Sequence, residues 1–243
     1  MSAKDVGSKS RAIFKQLPLA LDLSPPLSLE GFIGNDNLLL RALITQQIQG
    51  EGELQLYVHG PQGVGKSHLA QAACFHAGER GRRAAYLPLA TAYGQRALSQ
   101  ISINEIDLLV LDDVNVVTGD RGLEFALFDL LNRLREQEVP VLLTADRPPA
   151  QLPVELPDLS SRLSWGVTIS VSEPGDAEKI ELLTVKAHER GLVMPFETAA
   201  YLLQRLPRDT GRLLAALDEL DRASLSAQRK LSLPFVRSVL FEA

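Results

Sequence analysis

Cysteine is almost missing from this chain: Cys74 is the only one in 243 residues. A single thiol has no intramolecular partner, so a disulfide-stapled fold is excluded. Its neighbours "AQAACFHA" read as a helix face on which Cys74 is a small buried hydrophobe. Long apolar runs are missing too. The N-terminal "AIFKQLPLALDL" is interrupted by Lys15, Gln16 and Pro18, and no stretch approaches the roughly 20 apolar residues of a spanning helix. A soluble, cytoplasmic protein with no membrane partner is expected. Neither sign of charge dominates, with 25 Lys and Arg against 30 Asp and Glu, for a net charge of −5. Such a surface has no broad basic field, and direct sequence-specific DNA binding is not expected. Internal repeats and low-complexity tracts are absent as well.

What remains is an ordinary globular composition, 45% hydrophobic and 23% charged, in a chain long enough for one larger domain and one small one. Residues 1–30 read as a flexible leader holding the hexamer "QLPLAL", Gln16 to Leu21. From Leu54 onward, short apolar runs alternate with helical patterns. The strand-like segments are "LQLYVHG", "AAYLPL", "IDLLVLDD", "VPVLLTAD" and "VTISVSEP". Runs without polar alternation suit strands covered on both faces, hence a parallel sheet flanked by helices. After residue 173 strand signals stop. Helical spacing recurs near 176–190, 196–205, 209–224 and 234–241, which predicts a small helical domain. The fold class is therefore α/β, with residues 31–173 as the nucleotide-binding domain and 174–243 as a helical lid.

The nucleotide assignment comes from "GPQGVGKS", Gly60 to Ser67, a G-x-x-x-x-G-K-S loop between a predicted strand and a predicted helix. Glycines let backbone N–H groups turn inward onto phosphate oxygens, the helix N-terminus adds a favourable field, and the lysine brings a mobile charge. Candidate nucleotide contacts are Gly60, Pro61, Gly63, Val64, Gly65, Lys66, Ser67 and His68, with Ser67 also offering a hydroxyl to magnesium. "LLVLDD" sets two carboxylates at the end of a buried strand, where ligands of open parallel sheets bind. Asp112 is assigned to magnesium and Asp113 to the attacking water. Thr144 and Asp146 end the next strand, close to where a terminal phosphate would lie, whereas Asp120 reads as an acidic turn former.

The ordered series "GPQGVGKS", "LLVLDD", "LLTADRPP", "SSRLSWG" and "GRLLAALDEL" resembles the AAA+ ATPases related to the bacterial replication initiator DnaA, from about Leu27 to the C-terminus. The resemblance implies that Asp146 is the sensor 1 residue, Arg162 an arginine finger acting in trans, and Arg212 the sensor 2 arginine. "FIGNDN", Phe32 to Asn37, is similar to the family's segment beside the adenine. Initiators carry a further DNA-binding domain after the lid, and "SVLFEA" leaves no room for one, so an initiator role is not expected. "LPDLSSRLSWG" and "LDELDRASLSAQRKLSLPFV" are instead similar to the compact Hda-type regulators of that family.

That resemblance gives the leader a role. Hda-type regulators carry near the N-terminus a peptide for the polymerase sliding clamp (beta subunit), and Gln16, Leu17, Leu19 and Leu21 fit its Gln-Leu-x-Leu core. The implied protein binds ADP or ATP with Mg, attaches to the clamp, and stimulates ATP hydrolysis by DnaA so that replication does not re-initiate. A self-contained ATPase that loads or remodels a replication protein is the alternative. Intrinsic ATPase activity and homo-oligomer formation stay open.

Overall fold

The structure is a computed structural model describing residues 29, 37–227 and 230–241. The hexamer Gln16 to Leu21 and residues 32–36 lie outside the described residues. Five parallel strands form one sheet: β1 (Gln55–His59), β2 (Ala84–Pro88), β3 (Leu108–Asp112), β4 (Val141–Ala145) and β5 (Val167–Ser170). Their spatial order is β2-β3-β4-β1-β5, so β1 lies between β4 and β5. Leu143 of β4 stands beside Tyr57 of β1 and Leu111 of β3. All strands thus present their C-terminal ends at one edge.

The expected burial on both faces holds for β1, β3 and β4. The flanking strand β5 differs, with Val167 and Ile169 half-buried and Thr168 and Ser170 exposed. Alternate side chains point to opposite faces of a sheet, so one face of β5 is open to solvent.

Helices cover both faces. On one, α1 (Asn37–Gln49) and α2 (Lys66–Glu79) pack Leu40, Ile44, Leu69 and Ala73 onto Leu56, Val58 and Val110. On the other, α3 (Ala92–Leu98), α4 (Arg121–Glu136) and α5 (Pro157–Leu163) bury Leu98, Leu127, Leu130 and Leu159 against Tyr57, Leu109 and Leu111. Cys74 is half-buried on α2, and burial pushes its thiol up to about 12. Helix α1 was not evident from spacing. Its buried stripe is Leu40, Ile44 and Ile48, but Leu38 and Leu39 beside it are 62% and 64% exposed and blur the pattern. Among the described residues no helix is long and apolar enough to cross a membrane.

The C-terminal helices α6 (Asp176–Glu189), α7 (Phe196–Arg205), α8 (Thr210–Ala227) and α9 (Leu233–Leu240) have their own core of Leu183, Leu202, Leu213, Leu217 and Phe235. All four helical patterns in the sequence correspond to these elements, with shifts of a few residues at the ends.

One polar contact organises the second face. Asp120 caps α4 through Gly122 N and Leu123 N, which explains the acidic turn. Glu124, one turn into α4, is fully buried, and its carboxylate accepts from Gly119 N (2.8 Å), Glu155 N (3.0 Å) and Leu156 N (2.8 Å). Leu156 immediately precedes α5, so Glu124 fastens the entry to that helix onto α4. Replacing Glu124 by Ala would strand three backbone donors, at roughly 1–3 kcal/mol each where water cannot reach. Thermal melts of Glu124→Ala should show a Tm lower by about 6–12 °C at the low end of that range and by more at the high end, with Glu124→Gln in between.

Candidate nucleotide-binding site

Beyond His59 the chain leaves the sheet. Gly60 N still donates to Ala145 O at 3.2 Å, and the loop then turns into α2. Gly63 and Gly65 hold left-handed backbone, φ 87° and 95°, which a side chain would strain. Gly65 is the N-cap of α2, so the first N–H groups of the helix face the loop without intrahelical acceptors. Lys66 opens the helix. It is only 7% exposed, and its ammonium donates to Gly60 O and Pro61 O, each at 2.9 Å. Val64 anchors the loop in the core, while Ser67 and His68 are half-buried on the first turn.

Asp112 ends β3 and is 3% exposed. Its Oδ1 accepts from the Thr144 hydroxyl at 2.5 Å and its Oδ2 from the Tyr86 hydroxyl at 2.7 Å. Thr144 Oγ1 also accepts from Asp113 N at 2.9 Å, and the Gln71 amide donates to the Tyr86 oxygen at 3.3 Å. Elements α2, β2, β3 and β4 are thereby joined through one carboxylate. Asp113 follows with left-handed backbone, φ 60°. Burial raises its carboxyl above the usual range; the Asp112 charge adds to the rise and Lys66 opposes it. The charge of Asp146 is felt there as well.

Asp146 itself is engaged by Arg147, at 3.0 Å to Nε and 2.7 Å to Nη2, and that hydrogen bonding holds its carboxyl below the usual range. Its backbone N–H donates to Asn115 Oδ1 at 3.1 Å. From the lid, Asp209 Oδ2 lies 3.0 Å from the point a Cβ on Gly63 would occupy, while Oδ1 accepts from Arg212 N at 2.8 Å. The start of α8, with Arg212 exposed on it, is therefore brought to the phosphate loop. Tyr86, Gln71, Asn115 and Asp209 were not singled out from sequence. Only Tyr86, a phenol in an otherwise apolar strand, left a recognisable signal.

Arg162 stands apart. Gln55, the first residue of β1, donates through Nε2 to the carbonyls of Arg162 and Trp165, each at 2.9 Å. Arg162 is thus at the N-terminal edge of the sheet, and five residues of β1 at roughly 3.3 Å each put about 16 Å between that edge and the loop. A cavity of about 530 Å³, lined in part by Leu43, Gln55, Arg135 and Trp165, opens at the same edge. It contains none of the phosphate-loop residues, so donor geometry rather than volume marks the nucleotide site.

The residues present fit a nucleotide with a divalent cation. Left-handed glycines, a helix N-terminus and a buried ammonium match polyphosphate, while Ser67 and Asp112 supply hard oxygen donors. Among the described residues no cluster of three His, Cys, Asp or Glu forms a free-standing metal cage. Magnesium held largely by phosphates and water needs none.

A parallel sheet with β1 between β4 and β5, a glycine loop running into α2, paired carboxylates at the C-terminal end of β3 and a helical lid together define an AAA+ nucleotide-binding fold. Residues 29–170 match the family described as bacterial DnaA ATPase domain, and residues 176–240 match the Hda lid domain. The chain belongs to the DnaA-related AAA+ family, in its Hda-like form. The fold is shared with domain III of the Thermotoga maritima replication initiation protein DnaA, at TM-score 0.73 and 18% identity over 90% of this chain and 97% of that one. AMPPCP-bound DnaA from Aquifex aeolicus is similar at 28% identity and TM-score 0.67, over 81% of this chain and 65% of that one. The Thermotoga maritima RuvB branch migration motor shares the fold at TM-score 0.63 and 18% identity, over 89% of this chain and 72% of that one.

The environment of Asp113 has a measurable consequence. Because burial raises its carboxyl, the folded state holds the proton more tightly than the unfolded one. The associated stability is complete at low pH and is lost as pH climbs from the ordinary carboxylate value through the raised one. Asp113→Asn lacks this loss. The Tm of the variant minus that of the wild type should grow from about pH 4 upward and then level off. A pH-independent difference would mean that Asp113 is as well solvated as a surface carboxylate.

Proposed function

We propose that this DnaA-related AAA+ regulator binds ADP or ATP in its own loop and presents Arg162 to ATP held by the initiator DnaA. The observation that carries this reading is the separation of Arg162 from the phosphate loop. An arginine at the N-terminal edge of the sheet serves nucleotide chemistry only on a neighbouring subunit. The Hda-like lid and the DnaA-like domain support DnaA as that neighbour. Nucleotide binding is supported by similarity to a DnaA that carries AMPPCP.

In this reading the backbone from Gly60 to Ser67 cradles the phosphates, and Lys66 trades its carbonyl partners for phosphate oxygens. Ser67 and Asp112 hold magnesium, which spreads the phosphate charge when bound. Thr144 and Tyr86 keep the Asp112 carboxylate in one orientation. Asp113 orients water, Asp146 and Arg212 sense the phosphate end, and His68 borders the loop. On the partner, an arginine placed on the transferring phosphoryl group contributes a factor of about 10³ to 10⁵, or roughly 4–7 kcal/mol of barrier. Gln16, Leu17, Leu19 and Leu21 dock in the clamp, so that hydrolysis by DnaA follows clamp loading in the cytoplasm and limits re-initiation. The intact Lys66, Ser67, Asp112 and Asp113 favour one competing reading, a self-contained ATPase that loads or remodels a replication protein.

A reconstituted hydrolysis assay separates the two. Arg162→Ala should keep a nucleotide-dependent rise in Tm yet lose stimulation of DnaA, while Lys66→Ala loses the rise. Full stimulation by folded Arg162→Ala, or brisk turnover by this chain alone, would favour the ATPase. For the leader, replacing Gln16 and Leu17 by alanine should abolish clamp capture with Tm unchanged. A Tm several degrees lower would instead mark the hexamer as part of the folded core.

A further inference from the structure

The surroundings of Arg162 are unusual for a residue with a partner to reach. Its guanidinium carbon lies 3.7 Å from the centre of the Trp165 ring, and that of Arg135 lies 3.6 Å from the same ring. Two such groups on one face would overlap, so they occupy opposite faces and the indole is held between two cations. Phe128 stands 5.7 Å from Arg162 and closes another side. The base of this arrangement is rigid. Gln55 ties down the carbonyls of Arg162 and Trp165, and Gly166, with φ 69°, passes so close to β1 that a Cβ there would lie 2.1 Å from Gln55 O.

The guanidinium itself is held less firmly. Arg162 Nε is buried and has no hydrogen-bond partner. A donor left unsatisfied on a charged group costs free energy that pairing with an oxyanion would recover. Across the ring, the like charge of Arg135 repels Arg162, whereas an arriving phosphate would attract it.

We infer that Trp165, clamped by Arg135, is the positioning residue for Arg162: the indole holds the guanidinium by cation–π stacking and so orients it toward an anionic phosphate on a neighbouring subunit. This rests on the trans reading above for its destination, and on geometry alone for the stacking. Trp165 touches no nucleotide and acts only through the orientation of Arg162.

Trp165 is the only tryptophan in the chain, so it reports on its own stacking. Emission of the isolated protein should differ between wild type and Arg162→Ala. On addition of ATP-loaded DnaA, wild-type emission, with the Trp165→Phe complex subtracted to remove the initiator's signal, should stay distinct from that of Arg162→Ala. In the hydrolysis assay, Trp165→Leu should lower the maximal stimulated rate roughly tenfold or more while the half-saturating concentration stays put. Trp165→Phe, which keeps an aromatic face, should recover most of the rate. Should Trp165→Leu melt early, the comparison of Trp165→Phe with Arg135→Ala takes its place, the first retaining the rate and the second losing part of it. Equal emission from wild type and Arg162→Ala, or a folded Trp165→Leu with full maximal rate, overturns the inference. If wild type itself fails to stimulate DnaA, the trans reading falls, and the emission contrast still decides whether the indole holds Arg162.

Discussion

Parallel hydrogen bonding of β1 to β4 on one side and β5 on the other is the constraint on which both candidate poles depend. At its C-terminal end the strand delivers Gly60 and the phosphate loop, still tied to Ala145 O. At its N-terminal end Gln55 fixes the corner that carries Arg162 and Trp165. A rigid strand of fixed rise therefore holds the cradle and the finger candidate apart and in constant relation. Slipping the register by one residue would reverse the faces of Tyr57 and Val58, each packed into a different core layer, so the spacing is well protected.

Electrostatics at the C-terminal edge are managed by short polar links rather than by exposure. Asp112 is buried, and the hydroxyls of Thr144 and Tyr86 take the place of water around it. Asp113, half-buried beside it, has its proton affinity pushed up, first by burial and then by the Asp112 charge. The lid contributes a third acid, Asp209, which caps α8 and abuts Gly63, so the helical domain is coupled to the loop through its first turn.

Much of this was legible in the sequence, for identifiable reasons. Apolar runs such as "LLVLD" and "VLLTA" announced buried parallel strands because strands covered on both faces cannot alternate. The lid helices announced themselves through leucines at helical spacing, and the phosphate loop through glycines, which take positive φ without the strain a side chain brings. Helix α1 stayed hidden because exposed Leu38 and Leu39 sit beside its buried stripe.

Sequence by itself therefore determined the α/β class, the helical lid, the phosphate loop and the presence of acids at a strand end. These are local properties, written in periodicity and in backbone preference. Only the tertiary structure decided that Tyr86 and Thr144 share the carboxylate of Asp112, that Glu124 fastens α5, that Asp209 reaches Gly63, and that two arginines enclose Trp165. Each of those contacts joins residues from separate elements, and their meeting depends on strand order and helix packing, which no local pattern encodes.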